Sequence, residues 1–161
     1  MSTADSPDRA TPRIEGPPPR ILVVQAPYYR AVIEGMRQGA DALFAAVGAE
    51  VETAEVAGAF ELPGALRLAL KAPQGRWDGF LVLGCVVKGE TDHYDHICRE
   101  ASRGVMDIAV ETGIPIGFGL LTVHSLAQAE ARSRQDRHNK GAEAANALLM
   151  QIALARRWGA A

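Results

Sequence analysis

The chain is short of cysteine, of long apolar runs and of net charge, and each shortage removes a class of function. Cys85 and Cys98 are its two cysteines, and they form no CxxC and no paired framework. That excludes a disulfide scaffold and suits a reducing cytoplasm. The longest bulky apolar run, "FLVLGCVV", is far too short to span a bilayer. Residues 1–19 contain no apolar run, so they read as neither a secretory signal nor a membrane anchor. A formal net charge of -2 suggests no polyanion partner, and a nucleic-acid-binding domain of this size is expected to be far more basic. No internal repeat, GxSxG elbow, Walker A loop or GxGxxG turn is present either.

What remains is an ordinary globular composition. At 161 residues and 48% hydrophobic content, the chain is long enough for one domain with a sizeable core. Residues 1–19, rich in Pro, Ser, Thr and Asp, read as a disordered arm, leaving 20–161 as a single α/β domain.

Apolar runs alternate with amphipathic segments. "RILVVQ" (20–25) reads as a first strand. "RAVIEGMRQGADALFAAVG" follows, with Val32, Ile33, Met36, Ala40, Leu43, Phe44 and Val47 at helical spacing and Gly48 at its C-cap. "EVETAEV" (50–56) is a partly polar strand suited to a sheet edge. Pro63 opens a helix through "GALRLALKA", which Pro73 and Gly75 end. "DGFLVLGCV" has the near-continuous apolar character of a parallel strand covered on both faces. Tyr94, Ile97, Ala101, Val105 and Ile108 then form one helical stripe, closed by Gly113. "IPIGFGLLT" is the fourth strand, followed by a short helix around "LAQAEARS" and a last one from Asn139 to about Trp158.

Strand–helix repetition with short connections means βαβ units. The expected fold is a three-layer α/β/α sandwich around a four-stranded, mainly parallel, flavodoxin-like sheet. Ligands in such sheets bind beyond the carboxyl ends of the strands. Four stretches therefore qualify: Gln25 to Arg30, Gly58 to Gly64, Gly84 to His93, and Phe118 to Ser125.

The third is the most crowded, "GCVVKGETDHYDHIC". His93, His96 and Cys98 invite a metal reading, but their spacing shares a helix face only roughly, and no outlying CxxC or HxxxH completes a tetrahedral set. Polar residues on a first helical turn are the simpler account. Cys85, inside an apolar strand, reads as a small buried hydrophobe rather than a nucleophile. A phosphate reading fits better: Gly89 is a permissive turn residue, Thr91 a candidate N-cap, and a helix start offers free N–H groups. In "GAFELPG", Phe60 and Glu61 stand at the mouth after the second strand. Phe60 is either a packing residue or a stacking plate. "AEARSRQDRHNKG" carries an arginine-rich loop into a helix, where Arg132 and Lys140 matter only if the loop folds toward that mouth.

Taken together, "AGAFELPG", "LGCVVKGETDHYD", "PIGFGLLT" and "QAEARSRQDRHNKGAEAA" resemble, in order and spacing over residues 20 to 158, the lumazine synthase family. The resemblance implies a cofactor-independent condensation of 5-amino-6-(D-ribitylamino)uracil with 3,4-dihydroxy-2-butanone 4-phosphate, without metal or redox group. It implies that Tyr28 and Phe60 stack on the pyrimidine and that Ala59 and Glu61 hold the ribityl chain. Cys85, Val86 and Val87 would offer backbone groups to the ring edge, and Glu90 and Thr91 would form the phosphate loop. Arg132 would be the bidentate phosphate anchor, Lys140 a second contact, and His93 the proton carrier. Phe118 matches an aromatic residue that relatives donate from the adjacent subunit. His96, His124 and His138 match no family histidine and receive no role. Departures are few: Tyr28 adds a hydroxyl, Lys88 stands where arginine is common, and Val87 where isoleucine is usual.

The resemblance further implies a homopentamer with sites between subunits, which some relatives extend to decamers or large shells. Pro17, Pro18 and Pro19 remove three backbone donors before the first strand, so a pentamer-based assembly that does not close into a shell is expected. Two rivals are a flavin- or lumazine-binding protein without turnover and a flavodoxin-like signalling domain. The latter needs an acidic phosphoacceptor where this chain has "QAPYY".

Overall fold

The computed structural model describes residues 10–73 and 76–160. Nine elements follow the expected order: β1 (Arg20–Gln25), α1 (Arg30–Ala46), β2 (Glu50–Glu55), α2 (Leu62–Ala69), β3 (Gly79–Val87), α3 (His93–Thr112), β4 (Ile116–Val123), α4 (Leu126–Glu130) and α5 (Lys140–Arg157). A single helical turn, Ala59–Glu61, precedes α2. The four strands form one sheet in the order β2-β1-β3-β4, and every pairing is parallel. The partly polar β2 does lie at an edge.

Alternation within the strands builds two cores. Ile21, Val23, Leu81, Leu83 and Cys85 point to one face, where α1 and α5 cover them. Leu22, Val24, Phe80 and Val82 point to the other, under Leu62 and Leu66 of α2 and Ala101, Val105 and Ile108 of α3. Burial on both faces is why β1 and β3 read as unbroken apolar runs. Each fully buried Leu, Ile or Phe side chain stabilises the fold by about 1.5–3 kcal/mol relative to exposure.

The helix ends follow their sequence signals with one correction. Gly48 and Gly113 adopt φ of 67° and 68°, the left-handed conformation that ends a helix cheaply when no Cβ is present. Thr91, however, does not cap α3. Asp92 holds that position with a helical backbone (φ -69°, ψ -3°) and makes no side-chain cap bond. A capping side chain normally hangs from an extended residue, and the chain here is already winding. Of the two residues expected to end α2, Gly75 lies outside the described residues.

Of the arm, residues 1–9 lie outside the described residues, as does Ala161 at the far end of the domain. From Ile14 onward the arm is fastened. Ile14 packs on the α1/α5 core, Pro19 is buried, and Arg156 Nη1 donates to the carbonyls of Glu15 and Pro17, both at 2.7 Å.

Candidate active site

The register of the sheet makes the first cavity. β1 pairs with β3 only as far as Gln25 opposite Leu83, with one further bond from Ala26 N to the Leu83 carbonyl at 3.0 Å. β3 continues through Gly84 to Val87, paired with β4 to Val87 opposite Val123. Beyond Leu83, therefore, the edge of β3 that faces β1 has lost its strand partner. The crossover direction also reverses between β1 and β3, the switch point where such sheets open a crevice.

A cavity of about 790 Å³ occupies that notch, and Tyr28, Ala59, Phe60, Glu61, Cys85, Val86, Val87 and His93 all line it. Tyr28 and Phe60 are 64% and 59% exposed, two aromatic rings left in solvent at its rim. Glu61 and Tyr28 both come close to Gly58: a Cβ there would lie 3.3 Å from Glu61 Oε2 and 3.7 Å from Tyr28 Cε2. Cys85 is buried, and that burial pushes its thiol up from 9.0 to about 11. It stays a thiol at neutral pH, as its place in an apolar strand predicts.

Tyr29, His96 and Ile97 line the same cavity although the sequence motifs did not single them out. His96 follows His93 by three residues on α3, so helical spacing alone could have joined them. Tyr29 is the one non-glycine residue with positive φ (57°) among the described residues. Nothing in its side chain announces that conformation.

Glu90 and Thr91 are exposed on the turn between β3 and α3 and line neither this cavity nor the next. The turn is anchored by Lys88 N donating to the Val123 carbonyl at 2.8 Å. The Lys88 ammonium lies 5.9 Å from the centroid of Tyr94, whose ring meets His124 edge-on at 6.3 Å.

The remaining candidates stand elsewhere. Phe118, Arg132 and Lys140 line a second cavity, about 800 Å³, between α3, β4 and α5, and it shares no lining residue with the first. Arg132 Nη1 donates to the Gln128 carbonyl at 2.9 Å. The guanidinium has no carboxylate partner among the described residues. Lys140 Nζ pairs with Glu143, and Lys140 N donates to the Arg132 carbonyl at 2.8 Å, so the two cations are held at the ends of one closed loop. Within one chain, then, the anticipated set is divided between two cavities, with Glu90 and Thr91 outside both. Among the described residues no group of three or more His, Cys, Asp or Glu side chains could hold a metal, and no helix is long and apolar enough to cross a membrane.

The arrangement can stack a flat ring, hydrogen-bond its edge, and place an imidazole beside it. Comparison with known proteins supplies the family. The family model described as 6,7-dimethyl-8-ribityllumazine synthase matches residues 18–156. Proteins of that name from Paramagnetospirillum magneticum, Methylorubrum populi and Methylobacterium radiotolerans are 41%, 40% and 43% identical to this chain. The matches cover 87%, 95% and 95% of this chain and 97%, 91% and 92% of those relatives. The chain belongs to the 6,7-dimethyl-8-ribityllumazine synthase family. The matched span takes in all the lumazine synthase candidates, from Tyr28 on the first loop to Lys140 at the start of α5.

Proposed function

We propose that this chain forms 6,7-dimethyl-8-ribityllumazine by condensing 5-amino-6-(D-ribitylamino)uracil with 3,4-dihydroxy-2-butanone 4-phosphate, releasing phosphate and water. One observation carries the reading: Tyr28, Phe60, Glu61 and His93, from separate loops and a helix start, line one cavity against the strand edge that β1 leaves free. Tyr28 and Phe60 stack on the pyrimidine, Ala59 and Glu61 hold the ribityl chain, and the backbone of Cys85, Val86 and Val87 meets the ring edge.

An amine of the pyrimidine attacks the ketone, and loss of water gives an imine. Phosphate then leaves, and the second amine closes the ring with loss of water. His93 takes and returns the protons, because an imidazole offers one nitrogen that donates and one that accepts. The start of α3 has no side-chain cap, which leaves its first N–H groups available to the phosphate beside the Thr91 hydroxyl. The Glu90 carboxylate turns away from that anion, and Arg132 with Lys140 supplies the opposing charge.

The division of the candidates between two cavities supports sites shared by two copies. The cavity of one chain receives Phe118, Arg132 and Lys140 of the next. Among the described residues β4 has no strand on its outer side, and Met106 and Phe118 stand exposed in that groove, an apolar edge that a neighbouring copy would cover. The assembly is built on pentamers and remains open. Both cysteines are free, in keeping with a cytoplasmic protein.

Mixing the purified protein with both substrates and following lumazine fluorescence tests the reaction. Turnover that depends on both substrates is expected. Tight lumazine binding with no turnover would instead identify a carrier built on the same cavity.

A further inference from the structure

Asn139 is the most heavily bonded polar side chain of the described residues, and no step of the reaction uses it. It is 2% exposed and directly precedes Lys140. Its Oδ1 accepts from Ala142 N at 2.9 Å and so caps α5. Its Nδ2 serves a different purpose, its two hydrogens shared among the carbonyls of Gly35 at 2.9 Å, Arg134 at 3.0 Å and Ser133 at 3.2 Å. One amide thus joins the middle of α1 to the loop that runs from Arg132 to Lys140. Gln135 Nε2 reinforces the tie from outside, donating to the same Gly35 carbonyl at 2.7 Å.

The surface of α1 is shaped to receive this loop. A Cβ on Gly39 would lie 2.5 Å from Cγ and Oδ1 of Asn139, and one on Gly35 would lie 2.4 Å from the Ser133 carbonyl. Contacts that close do not occur, so both helix positions are open only while they are glycine. Gly35 and Gly39 cost α1 about 0.5–1 kcal/mol each in helix propensity. The close approach of the loop is what those residues make room for.

We propose that Asn139 is the positioning residue of the cationic pair, fixing the Arg132–Lys140 loop against α1 so that both cations face one groove without itself touching a ligand. The proposal rests on the phosphate-anchoring role assigned above to Arg132 and Lys140. An anion anchor depends on rigid support, since a long cationic side chain on a loose loop loses orientation at each turnover.

Asn139→Ser separates the two jobs. Serine caps a helix about as well as asparagine, so the bond to Ala142 N has a replacement, whereas the amide donor is gone. In the purified variant, amide hydrogen exchange over 131–139 should accelerate while exchange over α3 does not change. The KM for the phosphate-bearing substrate should rise roughly tenfold, the usual order when a supporting hydrogen bond behind a ligand contact is lost, with the KM for the pyrimidine within about twofold. Unchanged exchange over 131–139, or equal shifts of both KM values, overturns the proposal. Should Asn139→Ser fail to fold, the exposed Gln135→Ala cuts the parallel bond to Gly35 and must still accelerate exchange over 131–139; no acceleration there overturns the proposal as well. Arg132→Ala distinguishes the two readings. If it leaves the KM for the phosphate-bearing substrate unaltered, the phosphate role fails, and the tie through Asn139 is judged on hydrogen exchange alone.

Discussion

The two cavities have almost the same volume, about 790 and about 800 Å³, and are made by different means. The first is a product of sheet topology. β1 stops at Gln25, β3 runs on to Val87, and the loops leaving β1 and β2 bring aromatic rings to the gap. The second is a product of side chains and loop fastening: an edge strand, an exposed Phe118, and a loop closed by Asn139 that presents Arg132 and Lys140. A strand-end notch is rigid because the sheet beneath it is the core. A loop-borne anchor has only the stiffness its hydrogen bonds supply. The aromatic half therefore has its geometry built in, and the cationic half depends on local ties.

The largest effect that could break this comparison comes from separating the halves genetically. His93→Ala in the first cavity and Arg132→Ala in the second should each lower kcat/KM by on the order of a hundredfold. Co-assembled in equal amounts, the two variants should regain about a quarter of wild-type activity, since a head-to-tail ring then pairs an intact first cavity with an intact second one at one seam in four. No recovery in a verified mixed particle means that each site lies within a single chain. Sedimentation of the wild-type particle belongs to the same measurement, and a shell-sized species would overturn the open assembly.

A smaller effect sharpens the role of the first cavity. Phe60→Ala removes an exposed ring, so the fold should tolerate it, with a melting temperature close to wild type. Loss of one stacking plate costs about 0.5–1.5 kcal/mol, a rise of roughly threefold to tenfold in the KM for the pyrimidine with little change for the phosphate-bearing substrate. Equal changes in both would mean that the ring holds the scaffold and not the heterocycle.

The smallest effect concerns Tyr29. Its left-handed backbone costs about 1–2 kcal/mol in a residue with a Cβ, and Tyr29→Gly removes that strain. Glycine also gives the unfolded chain more freedom, worth about 0.4–1 kcal/mol in the opposite direction. The first term is the larger by about 1 kcal/mol or less, so thermal stability should hold or rise slightly while the KM for the pyrimidine rises. A marked loss of stability would show that the Tyr29 ring supports the fold and not the mouth of the cavity.

Most of the fold was legible because it rests on periodicity. Ile21, Val23, Leu81 and Leu83 against Leu22, Val24, Phe80 and Val82 is the two-faced pattern of a covered parallel sheet. Gly48, Pro63 and Gly113 punctuate the helices by local sterics, which no distant contact needs to assist. Thr91 suits a cap because Ser and Thr are favoured wherever a helix begins, but Asp92 takes the position, since the boundary depends on how the chain leaves β3. His96 matches no family motif and receives no role on that ground, although three-residue spacing places it near His93 on α3.

By itself the sequence determined the order of elements, the two-sided core, the family, and the chemical types brought to the strand ends, because these follow from residue spacing and side-chain chemistry along the chain. Only the tertiary structure decided that Arg132, Lys140 and Phe118 occupy a different cavity from Tyr28, Phe60 and His93, that Tyr29 takes a left-handed turn, and that Asn139 ties a loop to α1. The Tyr29 turn is a backbone conformation that its side chain does not announce, and the other two are relations between segments distant in the chain. They depend on where β1 ends against β3 and on how closely α1 admits the loop before α5, and neither has a local signature.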